Sequence, residues 1–181
     1  MPSPTDAEQD RLVAGFAALA IVIHVLEAGF PSPVPGIKPG LANVVNLIVL
    51  LRYSWRMTLW VGGLRVVVGS LLIGSFLTPG FWLSASGAAA SLATMGLCLT
   101  WNRALPAPLS ALGIGVLSAT AHMLGQFAAA YTLFVPHAGL LALLPVLVSA
   151  GIVSGCVTGY VASRVLAALP GLASPAAEPD T

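Results

Sequence analysis

Long apolar stretches, separated by prolines and glycines, fill almost the whole chain from residue 12 to residue 168. A membrane-spanning helix needs about 20 predominantly apolar residues. Only 7% of the 181 residues are charged and 57% are hydrophobic, whereas a soluble domain carries about 25% charged residues. The outer surface must therefore be apolar as well, which predicts an all-α integral membrane protein. The six predicted segments cover about 12–28, 39–51, 55–75, 81–101, 107–134 and 139–168.

The two termini differ in composition from this membrane domain of residues 12–168. Residues 1–11 are polar and acidic, and no small-residue cleavage site follows the first apolar run. We therefore expect a cytoplasmic tail here rather than a cleaved signal peptide. Residues 169–181 are rich in proline and alanine, which predicts a disordered cytoplasmic tail.

The basic residues predict the orientation of the chain in the bacterial inner membrane. If the N-terminus is cytoplasmic and all six segments cross, five arginines fall at cytoplasmic ends and only Lys38 falls in an outer loop. This distribution fits the positive-inside rule, so both termini are predicted to be cytoplasmic. The five residues are Arg11, Arg52, Arg56, Arg103 and Arg164.

The second segment is too short to cross as an ordinary helix, since about 13 residues rise only about 20 Å. It follows a proline-rich outer stretch, residues 31–39, that cannot be regular helix. Irregular backbone at membrane depth is tolerated where protein or a water-filled cavity covers it. The short second helix therefore predicts a cavity beside it.

Several polar side chains are predicted to meet in the outer half of the bundle. Helical rise places Glu27 and His122 at similar depths, with Arg65 near the midplane. Such residues usually face a bundle interior or a cavity. One interpretation is a substrate pocket open to the outer face, and the other is a structural network in which Glu27 neutralises Arg65. The predicted cluster comprises Glu27, Lys38, Asn43, Asn46, Arg65, His122 and Gln126.

Other classes of site find no support in the sequence. No nucleotide-binding loop, hydrolase motif or metalloprotease motif occurs, so we expect no enzyme activity from this chain. The histidines are not spaced as a metal site, no cofactor is expected, and a net charge of +1 argues against nucleic acid. Ala14 and Ala18 form a small-residue face on the first helix, suited either to packing within the bundle or to docking of another membrane protein.

Four stretches of the sequence resemble the family called Gx transporters, also labelled heptaprenyl diphosphate synthase component I. This family is similar to the substrate-binding S components of energy-coupling factor transporters. The resemblance covers about residues 12–165, with Met123 and Pro39 as departures from the usual residues. The stretches are 27–43, Arg65 with 69–74, 83–88 and 122–126.

The resemblance implies a six-helix bundle with an outer substrate pocket, in which Ala14 and Ala18 meet a membrane coupling subunit. The expected function is a substrate-binding transporter subunit, with energy from a partner ATPase module. Two alternatives remain: an accessory subunit in isoprenoid or quinone metabolism or flavin-linked electron transfer, and a structural scaffold without a ligand. Arg65 and Lys38 would suit an anionic group and Glu27 an amine or a hydroxyl, so the sequence leaves the ligand's charge open.

Overall fold

The computed structural model describes residues 6–29, 40–104 and 106–168, which form an all-helical bundle without strands. Five of its helices are long and apolar enough to cross a membrane. The prediction of an all-α membrane bundle with six helices is thus confirmed. The helices are α1 (Asp6–Gly29), α2 (Asn43–Arg52), α3 (Trp55–Ile73), α4 (Pro79–Ala104), α5 (Ala111–Ala129) and α6 (Leu144–Ala168).

Two short helical segments join α5 and α6. A π-helical turn, Ala130–Phe134, continues α5, and a 3₁₀-helix, Ala138–Leu143, leads into α6. The His137 side chain accepts a hydrogen bond from the Gly139 backbone N–H at 3.0 Å, which caps the 3₁₀-helix. The connection between the last two helices is therefore itself largely helical.

The helix boundaries differ from the predicted ones by a few residues, including at the starts of α1 and α2. α1 begins at Asp6, inside the predicted tail of residues 1–11. Glu8 and Asp10 lie in its first turns, where acidic side chains interact favourably with the positive end of the helix dipole. α2 begins at Asn43 rather than near residue 39. The prolines of 31–39 and the tail of 169–181 lie outside the described residues.

The short helix α2 lies in the middle of the bundle, where it contacts α1, α3, α5 and α6. Its ten residues rise only about 15 Å, half the thickness of the hydrocarbon core. Six of them are buried, and they point in several directions around the helix. A helix that is apolar nearly all round is stable inside a protein core. Leu47 and Leu50 also share a core cluster with Met95 of α4, so α2 packs against all five longer helices.

One end of the bundle carries the five arginines named above, and we call it the arginine end. The rings of Phe16 and Tyr53 pack at a centroid distance of 5.5 Å, which places the start of α1 beside the turn from α2 to α3. Leu50, Cys98 and Ala162 share one core cluster, which brings the C-terminal parts of α2, α4 and α6 together.

The capping contacts at the arginine end tie the neighbouring turns to the helices. Ser54 accepts a hydrogen bond from the Met57 backbone N–H at 3.2 Å and begins α3. Asn102 bonds both backbone groups of Leu109, at 2.7 and 3.3 Å, and so closes the turn from α4 to α5. These side chains satisfy backbone groups that the helix ends would otherwise leave unpaired.

The closest helix contact lies between α5 and α6 and depends on glycine. Gly151, Gly155 and Gly159 repeat every four residues on α6, and a Cβ on Gly155 would clash with the α5 backbone at Val116. This spacing is typical of helices that approach closely in membranes. Ala14 and Ala18 of α1, by contrast, are exposed on the outside of the bundle.

Candidate functional site

A small cavity lies in the half of the bundle away from the arginine end, and we call it the polar cavity. Its volume is about 10 Å³, about the room that one water molecule needs. α1, α3, α4, α5 and the turn before α2 all contribute to its wall. The residues that line it are His24, Glu27, Gly40, Arg65, Val66, Ser84 and His122.

Glu27 reaches from α1 to the N-terminus of α2. Its Oε1 accepts a hydrogen bond from the Leu41 backbone N–H at 2.5 Å, and its Oε2 accepts one from the Ala42 N–H at 3.5 Å. The N-cap residue of α2, Ala42, makes no side-chain capping bond. The carboxylate thus does for α2, from another helix, what a local serine or aspartate usually does at a helix start. Its negative charge also interacts favourably with the helix dipole.

The turn at Gly40 brings the start of α2 against His122. Gly40 has a φ of +75°, in the region that glycine adopts at little cost. Its carbonyl accepts the Asn43 N–H at 2.9 Å, which starts the first turn of α2. A Cβ at this position would lie 3.3 Å from the His122 ring. A side chain here would therefore strain the turn and crowd the cavity wall.

Arg65 supplies the positive charge of the polar cavity. It comes from the middle of α3 and is only 2% exposed. Its charge interacts with that of Glu27 across the cavity. Glu27 is the only charged residue between Arg11 and Lys38, and Arg65 is the only one between Arg56 and Arg103. The fold brings both to one cavity. A buried charge is tolerated when an opposite charge compensates it.

The two buried histidines of the cavity sit in notches made by glycines. The ring of His24 lies against Gly69 of α3, where a Cβ would come within 2.7 Å of it. The ring of His122 lies against Gly87 of α4, where a Cβ would come within 2.9 Å. Both side chains are at least 94% buried, so the glycines provide the space that holds the rings in place.

Two nitrogens in the cavity wall lack hydrogen-bond partners. Among the described residues, neither Arg65 Nε nor His122 Nδ1 has one. Buried polar groups in proteins are normally hydrogen-bonded, and each exception requires an explanation. Because both residues line the same cavity, a group placed inside it could supply what they lack.

The structure unites only part of the predicted cluster. Glu27, Arg65 and His122 line the polar cavity together. Asn43, Asn46 and Gln126 are fully buried beside it but, in the part of the chain described, do not form its wall. Asn46 donates to Asn43 Oδ1 at 3.4 Å within α2. Lys38 lies outside the described residues, so its place in the site stays a prediction.

Three wall positions were not predicted from the sequence, and His24 was only a possible member of the predicted cluster. The signal for His24 was present, since it precedes Glu27 by one helical turn and shares its face. Ser84 lies in a stretch that resembles the family, but helical depth alone did not single it out. Gly40 and Val66 bear no polar side chain, so their contribution is visible only in three dimensions.

Metal ligands do not gather anywhere in residues 6–29, 40–104 and 106–168. Within those ranges, no group of three or more histidine, cysteine or acidic side chains could hold a metal ion. The cavity wall is instead made of one carboxylate, one guanidinium, two imidazoles and one hydroxyl. These side chains can hydrogen-bond or pair with a small polar or charged group that reaches the cavity.

This fold and this cavity define a multi-pass helical membrane protein with a polar cavity enclosed in one half of its bundle. Residues 16–165 match the family model described as heptaprenyl diphosphate synthase component I. The chain therefore belongs to that family, as its four resembling stretches predicted. No curated protein and no solved structure matches the chain.

Proposed function

We propose that this chain is a non-catalytic, substrate-binding subunit of a transporter in the bacterial inner membrane. It takes up a small molecule from the outer face, and a partner ATPase module supplies the energy. The observation that carries this proposal is the polar cavity, enclosed in a bundle whose other surfaces are mostly apolar. Intramembrane ionisable residues that face a cavity are typical of substrate pathways.

The orientation proposed from the arginines fits this role. With the arginine end in the cytoplasm, the polar cavity lies in the outer half of the bundle, nearer the source of an external substrate. Ala14 and Ala18 then lie in the cytoplasmic half of α1, exposed on the surface of the bundle. Their small side chains would let a helix of a coupling subunit approach closely.

Binding accounts for the cavity better than catalysis does. Prenyl transfer from a diphosphate uses Mg²⁺, which takes its ligands from carboxylates. Glu27 is the one acidic residue between Asp10 and Glu178, and both its oxygens accept hydrogen bonds from the backbone of the turn before α2. Any synthase activity would on this argument belong to a partner protein.

A second candidate function follows from the family description, which names a component of an enzyme and so implies a partner. The chain would then be a membrane accessory subunit in isoprenoid or quinone metabolism, or in flavin-linked electron transfer. This candidate predicts a more apolar ligand and access from the lipid side. The apolar outer surface of the bundle is compatible with such a ligand.

The experiment that tests the proposal is native mass spectrometry of the protein extracted mildly with its membrane partners. A small polar ligand, or an attached ATPase-coupling module, would support the transporter subunit. A bound quinone, isoprenoid or flavoprotein would favour the second candidate. Preparations with no bound mass and no partner would leave only a structural scaffold and overturn both.

Arg65→Gln provides the matched variant for this experiment, with Arg103→Gln at the exposed arginine end as its control. A ligand that occupies the polar cavity should be lost or depleted in Arg65→Gln and retained in Arg103→Gln, because Arg65 lines the cavity and Arg103 does not. A bound mass retained equally in both variants would place the ligand elsewhere.

A further inference from the structure

The charge in the polar cavity is unevenly compensated. Glu27 carries one negative charge and Arg65 one positive charge. The N-terminus of α2, which Glu27 caps, adds about half a positive charge from the helix dipole. The sum is positive, so the Glu27 carboxylate is shared between two positive partners and Arg65 is only partly neutralised.

The hydrogen bonds of the cavity wall likewise leave more donors than acceptors. The Glu27 oxygens accept from the backbone N–H groups of Leu41 and Ala42, in the turn that leads into α2. Arg65 Nε, a donor in every state of the side chain, has no partner among the described residues. His122 Nδ1 is likewise unpaired there, while the ring also makes a hydrogen bond with the Gly87 backbone. The wall therefore presents a buried donor that needs an acceptor.

We propose that the polar cavity binds the anionic end of its substrate, a carboxylate or a phosphate, with Arg65 as the principal donor and His122 beside it. The assignment rests on the proposed binding function and names its substrate class. Glu27 in this assignment positions α2 and is not the group that the ligand contacts. Guanidinium groups match carboxylates and phosphates because their planar N–H donors pair with two oxygens at once.

The opposite assignment, a cation bound to Glu27, is disfavoured by the same contacts. An amine at the carboxylate would have to share its charge with the Leu41 and Ala42 N–H groups. It would also enter a cavity that Arg65 makes positive. The cavity has room for about one water molecule, so its wall must widen to admit a carboxylate or a phosphate. The rest of the ligand then lies outside the cavity.

The test measures the thermal stability of the full-length protein, purified in a neutral detergent, with small ions as probes. Sodium acetate and sodium phosphate are titrated against sodium chloride at equal ionic strength, and methylammonium chloride serves as the cationic probe. Acetate or phosphate should raise the melting temperature in a saturable way, since a ligand that binds only the folded state stabilises it. Methylammonium should produce no such rise.

Arg65→Gln should weaken the apparent affinity for the stabilising anion at least tenfold, because a hydrogen bond to a charged group is lost. Arg103→Gln, at the exposed arginine end, should leave that affinity unchanged. If Arg65→Gln does not fold, His122→Gln is the replacement variant, and the comparison of anions with methylammonium on the unchanged protein needs no variant at all. Equal affinities in the cavity variant and its control would overturn the assignment.

The remaining outcomes separate the substrate class from the binding function. Stabilisation by methylammonium alone would overturn the anion assignment and leave the proposed binding function standing. No response to any ion, together with no ligand in native mass spectrometry, would overturn both. Added phosphatidylglycerol provides a further arm. A rise in melting temperature with that lipid but not with the soluble anions would identify a lipid headgroup as the source of the phosphate and overturn a soluble substrate.

Discussion

Replacement of Glu27 by glutamine should destabilise the bundle more than any other single loss of charge. The change keeps the size of the side chain but removes the negative charge that caps α2 and faces Arg65. Loss of a helix cap costs about 0.5–2 kcal/mol. Removing one partner of a buried charge pair costs about 3–5 kcal/mol, because the other charge is left uncompensated. Since the two effects share one carboxylate, we expect a total of about 3–5 kcal/mol.

Arg65→Gln should cost less, about 1–3 kcal/mol, because it leaves Glu27 on the N-terminus of α2. The double variant should lose less free energy of unfolding than the two single variants lose together. Most of the loss in Glu27→Gln comes from the uncompensated guanidinium of Arg65, which the double variant no longer contains. For residues in one network, such coupling amounts to about 0.5–3 kcal/mol. The structure thus predicts both an order of the two single variants and the sign of their coupling.

The measurement is reversible unfolding in mixed detergent micelles, followed by tryptophan fluorescence. Glu8→Gln is the matched control on the same helix. Because Glu8 is exposed, its replacement should change the free energy of unfolding by no more than about 0.5 kcal/mol. Additive effects of Glu27→Gln and Arg65→Gln, or a larger cost for Arg65→Gln, would show that Glu27 is not shared between the helix and the guanidinium.

Three further predictions concern packing, docking and orientation. Gly155→Ala should destabilise the bundle by about 1–3 kcal/mol in the same unfolding assay, because its methyl group meets the α5 backbone. The control, Gly63→Ala, has open space around it and should be neutral or stabilising. Ala18→Leu, at an exposed site, should reduce co-purification of a coupling partner at least tenfold while the melting temperature is unchanged, and undiminished co-purification would exclude this face as the dock. In a cysteine-free background, Thr78→Cys in the α3–α4 turn should react with an impermeant thiol reagent added outside intact cells. Ala107→Cys in the α4–α5 turn should not, and the reverse result would invert the proposed orientation.

The membrane-spanning helices were predictable from the sequence because one physical requirement decides them. A segment in lipid must satisfy its backbone internally and present apolar side chains, so length and composition identify it. The short second segment was predictable for the same reason, since ten to thirteen apolar residues cannot reach across. Its central position was not, because burial on all sides depends on the packing of the other five helices.

The sequence predicted the depth of the site residues along their helices but not which of them line the cavity. The helical rise along three segments that run in the same direction places Glu27 and His122 at similar depths and Arg65 near the midplane. The structure brings these three together. Which face of each helix turns inward is set by packing, so Asn43 and Gln126 were grouped with the site although they lie behind its wall. The contact of Glu27 with α2 could not be foreseen, because it joins a side chain to backbone groups across a loop.

The two interpretations of the polar cluster, a pocket and a structural network, each apply to different members of it. A network that serves only stability is expected to satisfy its buried members, since each unsatisfied group costs about 1–3 kcal/mol. Glu27 meets that expectation through the N-terminus of α2. Arg65 and His122 do not, because each keeps an unpaired nitrogen among the described residues. Asn43 Nδ2 and Asn46 Oδ1 are unpaired there as well, but of these four residues only Arg65 and His122 line the cavity, where another group can reach them. The carboxylate is thus the structural half of the site, and the guanidinium and imidazole are the half that a ligand would complete.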